Sequence, residues 1–257
     1  MSKSLVKAIQ LLDCFTKQST LTLTELTKLS GLPKTTVFRL ITSLEEAGLI
    51  IKDRNSHQEV TYRLGLKLLQ YGNMVEEGLA YNKIALPYMK EINERIDELV
   101  HLTVMEGDEA VYVETIGSKK PVRLVVKVGQ RAPLYAGSAP KVLLAYMSEQ
   151  EIDKYLDKVE IKKLALNTIT DKEHIKENLK LIRDRGYSIS RSEHFKDTVG
   201  FSAPIFDYSG QVVAALGIST PMRELTDQEE ETYLESVVYY SEKISRELGY
   251  QESFSSF

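Results

Sequence analysis

The chain has 257 residues, 42% of them hydrophobic, which is enough for a small module beside one domain of ordinary size. Its formal net charge is −4, but residues 1–65 contain nine basic and six acidic residues, so the N-terminal end is positive. A single cysteine excludes an intramolecular disulfide, and the lack of a signal-peptide or membrane-length apolar run predicts a cytoplasmic protein without membrane contact.

The first predicted element is a helix close to the N-terminus. Val6, Ile9 and Leu12, with Phe15 nearby, keep roughly helical spacing. We therefore expect these apolar side chains to pack this helix behind the two helices that follow.

The next stretch carries the start and stop signals of a helix-turn-helix. Thr22 and Glu25 stand in the capping-box relation that begins a short helix, and Gly31 ends it. Pro33 suits the first position of a second helix, which Gly48 ends. The buried face of this second helix is predicted from its i, i+3, i+4, i+7 spacing to comprise Val37, Leu40, Ile41 and Leu44.

The opposite face of the second helix carries hydroxyl groups and two cations, as a helix lying in the major groove of DNA requires. The alternative is a generic helical hairpin with a solvated face. Residues 49–64 read as two strands around a turn at 55–58, which makes a wing. The predicted DNA-binding residues are Lys34, Thr35, Thr36, Phe38, Arg39 and Thr42 of the helix and Arg54 and His57 of the wing.

A helical pattern resumes directly after the wing without a flexible tether, so it can transmit an orientation between domains. Another helix is predicted over 81–98, interrupted or bent near Pro87. Strands are predicted at 100–106, 109–116, 122–128, 187–191, 197–206 and 211–219, and helices at 137–146, 149–157, 171–184 and 227–247. This order predicts an α+β domain whose antiparallel sheet has one face covered by helices.

Four separated segments carry a family pattern, namely GLPKTTVFRLITSLEEAGLI (31–50), YRLGLKLLQYG (62–72), APLYAGSAPKVLLAY (132–146) and RGYSISRSEHFKDTVGFSAPIFDYSGQVVAALGISTP (185–221). In these segments, and over essentially its whole length, the chain resembles transcriptional regulators of the IclR family. The resemblance implies a winged helix-turn-helix DNA-binding domain at 1–65, a linker helix at 66–80, a GAF-like effector-binding domain at 81–250 and a C-terminal tail at 251–257.

The resemblance also implies a function. A metabolite-responsive regulator, expected to be a repressor, would bind an inverted-repeat operator in double-stranded DNA as a dimer or a dimer of dimers. Its effector would be a small molecule, expected to be a carboxylic acid, bound without cofactor or metal.

Similar proteins line the effector pocket with residues that correspond here to Gly137, Ser138, Ala139, Ser190, Arg191, Ser202, Gly217 and Ser219. The helix start at 137–139 has independent support, because N–H groups at a helix N-terminus accept a carboxylate. An ordinary capped helix is the alternative reading of that segment. The chain departs from the family's common pattern at Pro140, where a glycine is usual, and at Ser190 and Arg191, where acidic residues are usual.

Arg191 leaves two alternatives open. If its side chain points inward, the guanidinium would pair with a carboxylate in bidentate fashion. If it points outward, strand alternation makes Ser190 the pocket residue.

An enzyme and a protein-interaction module are the competing functions. Ser138 lacks the second glycine of a G-x-S-x-G elbow, and no motif ties a histidine to it, so no catalytic residue is assigned. The histidines are His57, His101, His174 and His194, the last interpreted as a surface residue. No phosphate loop and no zinc-spaced Cys/His pair is present. The alternatives are a small-molecule hydrolase, or a metabolite-binding protein whose winged helix binds a protein partner, which the basic N-terminal charge disfavours.

Overall fold

A computed structural model describes residues 3–16, 18–54, 60–77, 80–222 and 225–251. The chain divides into two compact units, Met1–Leu79 and Ala80–Phe257. None of the described helices combines the length and the apolar character that crossing a bilayer requires.

The N-terminal unit combines helices with a small sheet. Its helices are α1 (Lys3–Asp13), α2 (Leu23–Ser30), α3 (Lys34–Glu46) and α4 (Leu66–Glu77), and its strands are β1 (Thr20–Thr22), β2 (Ile50–Arg54) and β3 (Val60–Leu64). The three strands form an antiparallel sheet in the order β1-β3-β2. Helices α2 and α3 with the β2–β3 hairpin make a winged helix-turn-helix.

The predicted start and stop signals of α2 are confirmed, and those of α3 are correct to within one residue. The carboxylate of Glu25 accepts the backbone N–H of Thr22 at 2.7 Å, while Thr22 Oγ1 accepts the N–H of Glu25 at 3.3 Å. Gly31 adopts φ 66°, a left-handed conformation that favours glycine. Helix α3 begins one residue after Pro33. Its predicted apolar face is buried at Val37, Leu40, Ile41 and Leu44.

The predicted packing face of α1 was partly wrong. Val6 and Ile9 are 44% and 49% exposed, whereas Ala8 and Leu11 are buried. Phe15 is buried as expected. Because α1 is apolar on more than one side, helical spacing alone did not identify the side that faces the core.

The C-terminal unit is built around a six-stranded antiparallel sheet in the order β6-β5-β4-β9-β8-β7. Its strands are β4 (Leu99–Glu106), β5 (Glu109–Ile116), β6 (Arg131–Pro133), β7 (Ser188–Arg191), β8 (Thr198–Phe206) and β9 (Val212–Pro221). Its helices are α5 (Ala80–Ile96), α6 (Ser138–Ala145), α7 (Glu149–Lys158), α8 (Lys172–Arg185) and α9 (Asp227–Glu247).

Helices cover both faces of this sheet, so the prediction of one covered face was wrong. Val100, Phe201 and Ile218 pack with α5 and α9 in one apolar cluster. Residues that alternate with them, such as Leu99 and Ala215, pack on the other side with α6, α7 and α8. Alternation along these strands therefore separates two buried faces, one of which carries the small polar residues of the candidate site.

The third strand lies elsewhere than predicted. Residues 122–128 are irregular, and the short strand β6 pairs with β5 in their place. Val122, Val125 and Val128 are exposed, so this valine-rich run follows a spacing of three and not the alternation of a half-buried strand. The other five predicted strands, and the helices of this unit, agree with the structure to within two residues at each end.

Candidate functional site

The outer face of α3 presents the predicted DNA-binding side chains together. Lys34, Thr35 and Arg39 are exposed, and the Phe38 ring is 53% exposed. The Thr42 hydroxyl donates to the carbonyl of Phe38 at 3.0 Å, so its proton is used inside the helix while its oxygen still accepts. This face offers cations, hydroxyl groups and one apolar ring to a groove.

The wing is an antiparallel hairpin of β2 and β3. Arg63 pairs with Asp53 across the two strands at 2.6 Å, so this cation is partly neutralised. The side chain of Arg54, and the whole of His57 with the predicted turn at 55–58, lie outside the described residues. Their contact with DNA stays a prediction.

The candidate effector site is built on two neighbouring rows of the central sheet. Pairing across β7, β8, β9 and β4 aligns Ser188, Ser202, Gly217 and His101 in one row. The next row aligns Ser190, Gly200 and Ser219. Residues that pair directly across antiparallel strands project to the same face. The sheet thus gathers side chains that are far apart in the sequence.

Three of the predicted serines and an unpredicted histidine form two hydrogen-bonded pairs on this face. Ser202 Oγ donates to Ser138 Oγ at 2.8 Å, and Nε2 of His101 lies 3.1 Å from Ser219 Oγ. We call these four residues the donor cluster. Gly217 is required beside it, because a Cβ there would lie 2.6 Å from Nε2 of His101 and 2.7 Å from Ser202 Oγ.

The start of α6 adds backbone donors to the donor cluster. Gly137 is the N-cap residue and no side chain caps the first turn. The N–H groups of Ser138 and Ala139 therefore point out of the helix start, where the helix dipole favours an anion. Pro140 has no N–H, so the third helical position leaves no orphan donor.

Arg191 lies outside this cluster, in agreement with the alternative in which its side chain points outward. Its guanidinium donates to both carboxylate oxygens of Glu230 on α9, at 2.6 and 2.5 Å. This pairing lowers the pKa of the Glu230 carboxyl. Strand alternation instead buries Ser190 on the side of the donor cluster. We therefore omit Arg191 from the proposed effector site and retain Ser190.

His101 is the residue that the sequence analysis missed. It is buried, its Nδ1 lies 3.1 Å from Thr103 Oγ1, and the Tyr112 ring packs edge-on against it. Burial lowers the pKa of His101 to about 4, so the imidazole is neutral at neutral pH. His101 and Thr103 are two residues apart on a strand whose other residues are mostly apolar. Because residues two apart project to the same face of a strand, this spacing indicated a polar face in the sequence.

A second missed feature is the buried ion pair between Lys141 of α6 and Glu193. The ammonium lies 2.6 Å from Glu193 Oε1 and donates to Asn178 Oδ1 at 2.9 Å. The next residue, His194, is half-buried, so its interpretation as a surface residue was wrong. Its Cβ lies 3.6 Å from the position of a Cβ on Gly137. The ion pair therefore holds the segment after β7 against the start of α6.

The chemistry of the donor cluster favours binding over nucleophilic catalysis. Ser219 does contact a histidine, but the other ring nitrogen of His101 meets the Thr103 hydroxyl and not a carboxylate. A histidine with a pKa of about 4 is a weak general base at neutral pH. Within the described part of the chain, no group of His, Cys, Asp and Glu side chains is arranged to hold a metal ion.

Two surface clefts lie away from the donor cluster. One of about 720 Å³ is lined by residues that include Tyr146, Phe206 and Tyr250. The other, of about 500 Å³, lies between α7 and α8. Neither cleft is lined by a residue of the donor cluster. We place the candidate site at the donor cluster because several polar groups that point to one place are typical of a specific binding site.

Comparison with known proteins adds an independent line of evidence. Residues 4–54 match the family described as IclR helix-turn-helix domain, and residues 77–246 match Bacterial transcriptional regulator IclR C-terminal. The HTH-type transcriptional regulator KipR of Bacillus subtilis is 36% identical over 249 residues, covering 97% of this chain and 98% of KipR.

Solved structures share the fold over nearly the whole chain. The crystal structure of the Thermotoga maritima IclR has a TM-score of 0.80 at 31% identity, covering 97% of this chain and 100% of that one. An IclR homolog from Microbacterium hydrocarbonoxydans, complexed with 4-hydroxybenzoate, has a TM-score of 0.81 at 23% identity and covers 96% of this chain and 99% of its own.

Proposed function

Because this chain belongs to the IclR family of bacterial transcriptional regulators, we propose that it represses transcription in response to a small carboxylic acid. It binds an inverted-repeat operator in double-stranded DNA as a dimer or a dimer of dimers, and it acts in the cytoplasm. The effector binds in the C-terminal unit without metal or cofactor.

The exposed face of α3 supports the DNA half of the proposal. Its cations and hydroxyl groups match phosphate and base-edge contacts in a major groove. In a two-fold dimer the two recognition helices face half-sites about one helical turn apart, or a small multiple of it. Exposed apolar side chains on the N-terminal unit support self-association, and they include Leu5, Val6 and Ile9 of α1 and Leu66, Leu69 and Met74 of α4.

The donor cluster at the start of α6 is the observation that carries the effector half. Hydroxyl and N–H donors converge there, while Arg191 is held by Glu230 outside the cluster. Oriented neutral donors and a helix N-terminus suit a small carboxylate better than a cation. A protein of the same fold is complexed with 4-hydroxybenzoate, an aromatic carboxylate.

Effector and operator are coupled in this proposal. An effector that binds two arrangements of the chain with different affinity shifts operator affinity, and the operator must then change effector affinity by the same factor. The helix α4, which directly follows the wing, is the element proposed to carry this coupling.

The decisive experiment combines a screen with a DNA-binding assay. Small carboxylic acids are screened by thermal shift against the full chain, and binding to promoter fragments is measured by fluorescence anisotropy at several salt concentrations. We expect salt-dependent binding to a fragment with an inverted repeat, and at least one acid that changes it. If the chain bound no promoter fragment at any salt concentration, the proposal that it binds operator DNA would be wrong.

Variants then locate the effector. Ser219→Ala should weaken acid binding about tenfold, because a hydrogen bond to a charged ligand is lost. Ser236→Ala is the matched control, since Ser236 is a buried serine of α9 whose hydroxyl donates to Thr232. Equal effects of the two substitutions would place the effector elsewhere.

A further inference from the structure

We propose that Gly65 and Lys67, at the start of α4, form a joint with the C-terminal end of α3, and that this joint sets the direction of the recognition helix α3 relative to α4. Both are positioning residues for operator binding, and neither belongs to the predicted DNA-binding residues. This inference rests on the proposed binding of an inverted-repeat operator by a dimer. It adds the contact through which α4 controls the placement of α3.

Helix α3 ends in a Schellman turn at Gly48, which adopts φ 74°. Its N–H donates to the carbonyl of Glu45 at 2.9 Å. The N–H of Leu49 donates to the carbonyl of Leu44, also at 2.9 Å. These bonds satisfy two of the carbonyl groups that a helix end leaves without a partner inside the helix. The carbonyl groups that come next in the chain, at 47–49, face the start of α4.

Two hydrogen bonds join this turn to α4. The N–H of Gly65 donates to the carbonyl of Leu49 at 2.8 Å. The ammonium group of Lys67 donates to the carbonyl of Ala47 at 3.0 Å. The carbonyl of Gly65 in turn accepts the N–H of Leu68 at 3.1 Å, in the first turn of α4. One residue, Gly65, therefore both begins α4 and is bonded to the end of α3.

Between the two hydrogen bonds the backbones of the two segments are in close contact. A Cβ on Gly65 would lie 2.3 Å from the carbonyl oxygen of Gly48 and 3.1 Å from the carbonyl carbon of Leu49. These atoms belong to the backbone, so no side-chain rotation could relieve the clash. Glycine at position 65, which is buried, thus allows α4 to start directly against the end of α3.

Lys67 supports the same contact with its side chain. Its Cδ would lie 3.6 Å from a Cβ on Gly48, and its ammonium group caps the C-terminal end of α3, where the helix dipole favours a cation. Lys67 is exposed, so water competes for its hydrogen bond. We therefore assign the larger part of the joint to the backbone contact at Gly65 and the smaller part to Lys67.

The recognition helix magnifies any change of angle at the joint. A helix of 13 residues is about 20 Å long, so a rotation of about 10° at its C-terminal end moves its N-terminal end by about 3 Å. Lys34 and Thr35, both predicted to contact DNA, lie at that N-terminal end. A displacement of this size exceeds the tolerance of a hydrogen bond to a base edge, which is about 0.5 Å.

In the proposed dimer the joint determines how the two copies of α3 are placed relative to each other. The exposed apolar side chains of α4, which include Leu66, Leu69 and Met74, support self-association. A two-fold dimer must present its recognition helices at the spacing of the two half-sites. With an altered joint each α3 still binds one half-site, but simultaneous binding of two half-sites loses its advantage.

Three duplexes test the joint by fluorescence anisotropy with the full chain at low salt. They are the inverted repeat from the promoter screen, the same repeat with two base pairs inserted at its centre, and a single half-site. Gly65→Ala should weaken binding to the inverted repeat by about tenfold or more and leave half-site affinity within about twofold of the wild type. The wild type should discriminate strongly against the inserted base pairs, and Gly65→Ala should discriminate less.

Lys67 supplies a second and milder variant. Lys67→Met keeps most of the side chain but removes the donor to Ala47, and it should weaken binding to the inverted repeat about threefold without a matching loss on the half-site. Lys67→Arg should restore wild-type affinity, because a guanidinium group can donate to the same carbonyl. The comparison of Lys67→Met with Lys67→Arg tests the joint even if Gly65→Ala does not fold.

Gly72→Ala is the matched control for Gly65→Ala. It makes the same substitution in the same helix, where a Cβ meets nothing within 4 Å, so all three affinities should stay at wild-type values. Thermal unfolding of each variant shows whether it folds. Equal losses on the inverted repeat and the half-site, or wild-type affinities in both Gly65→Ala and Lys67→Met, would overturn the joint. If the wild type bound none of the three duplexes, the proposed operator binding would itself be wrong.

Discussion

The ammonium group of Lys141 lies 2.6 Å from Oε1 of Glu193, and both side chains are buried. Burial lowers the pKa of Lys141, while the neighbouring Glu193 carboxylate opposes that shift. The pair connects α6, whose first turn carries Ser138, to the segment that follows β7. An internal ion pair of this kind is costly to break from one side, because the remaining charge stays buried without its partner.

Lys141→Met is therefore expected to destabilise the C-terminal unit by about 3–5 kcal/mol, as measured by urea unfolding at pH 7. The double variant Lys141→Met with Glu193→Gln should recover part of this loss, because no buried charge is left. Lys172→Met is the control, since its partner Asp157 is exposed and such pairs contribute about 0–1 kcal/mol. If Lys141→Met were as stable as Lys172→Met, the buried pair would not hold the segment that follows β7.

The stability of the chain should depend on the titration of His101. Its pKa is about 4 in the folded protein, below the ordinary value of 6.5, so the unfolded chain binds more protons between these pH values. The stability gained from the neutral ring is present above about pH 6.5 and is lost as the pH falls toward 4. Relative to His101→Gln, the wild type should lose about 2 kcal/mol between pH 7 and pH 5.

Urea unfolding of both proteins at the two pH values measures this difference. Carboxylates titrate in the same range, but they are shared by the two proteins and cancel in the comparison. Parallel pH dependence of the wild type and His101→Gln would contradict a buried, neutral His101.

The strand residues of the donor cluster, His101, Ser202 and Ser219, and the neighbouring Ser188 and Ser190 lie in short tripeptides that are visible in the sequence, whereas the way they assemble is not. Each has the form polar or glycine, apolar, polar: HLT (101–103), SIS (188–190), GFS (200–202) and GIS (217–219). Strand alternation places the outer residues of each tripeptide on one face. Which tripeptides become neighbours depends on the strand order and register of the sheet, and these arise from long-range pairing that local pattern does not determine.

Local signals act only between neighbouring residues. They therefore predicted α2 and α3 well, but they failed where the structure depends on distant parts of the chain. The structure has the capping box at Thr22, the left-handed glycine at Gly31 and the helically spaced apolar face that begins at Val37, and each of these signals acts within a few residues. The inward side of α1 and the course of residues 122–128 depend on which surfaces the rest of the chain covers. Apolar residues such as Val6 and Val125 carry no local mark of that choice.

Arg191→Ala should leave effector binding unchanged. Arg191 is held by Glu230 on the side of the sheet away from Ser190, and a partly exposed pair contributes about 0–1 kcal/mol to stability. Calorimetry with 4-hydroxybenzoate and its neutral amide compares the two ligands in the wild type and the variant. If Arg191→Ala weakened the binding of the acid but not of the amide, the guanidinium would have to contact the carboxylate of the ligand.

Arg39→Ala should separate specific from general DNA binding. Arg39 is exposed on the outer face of α3, and if its guanidinium contacts a base edge, its loss costs about 1–3 kcal/mol on the operator and far less on random DNA. Lys28→Ala is the matched control, because Lys28 is an exposed cation of α2 outside the predicted recognition face. Fluorescence anisotropy on operator and random duplexes at one salt concentration gives both affinities. Equal losses on the two duplexes would show that Arg39 contacts only the phosphate backbone, and base recognition would then belong to other residues of α3 or to the wing.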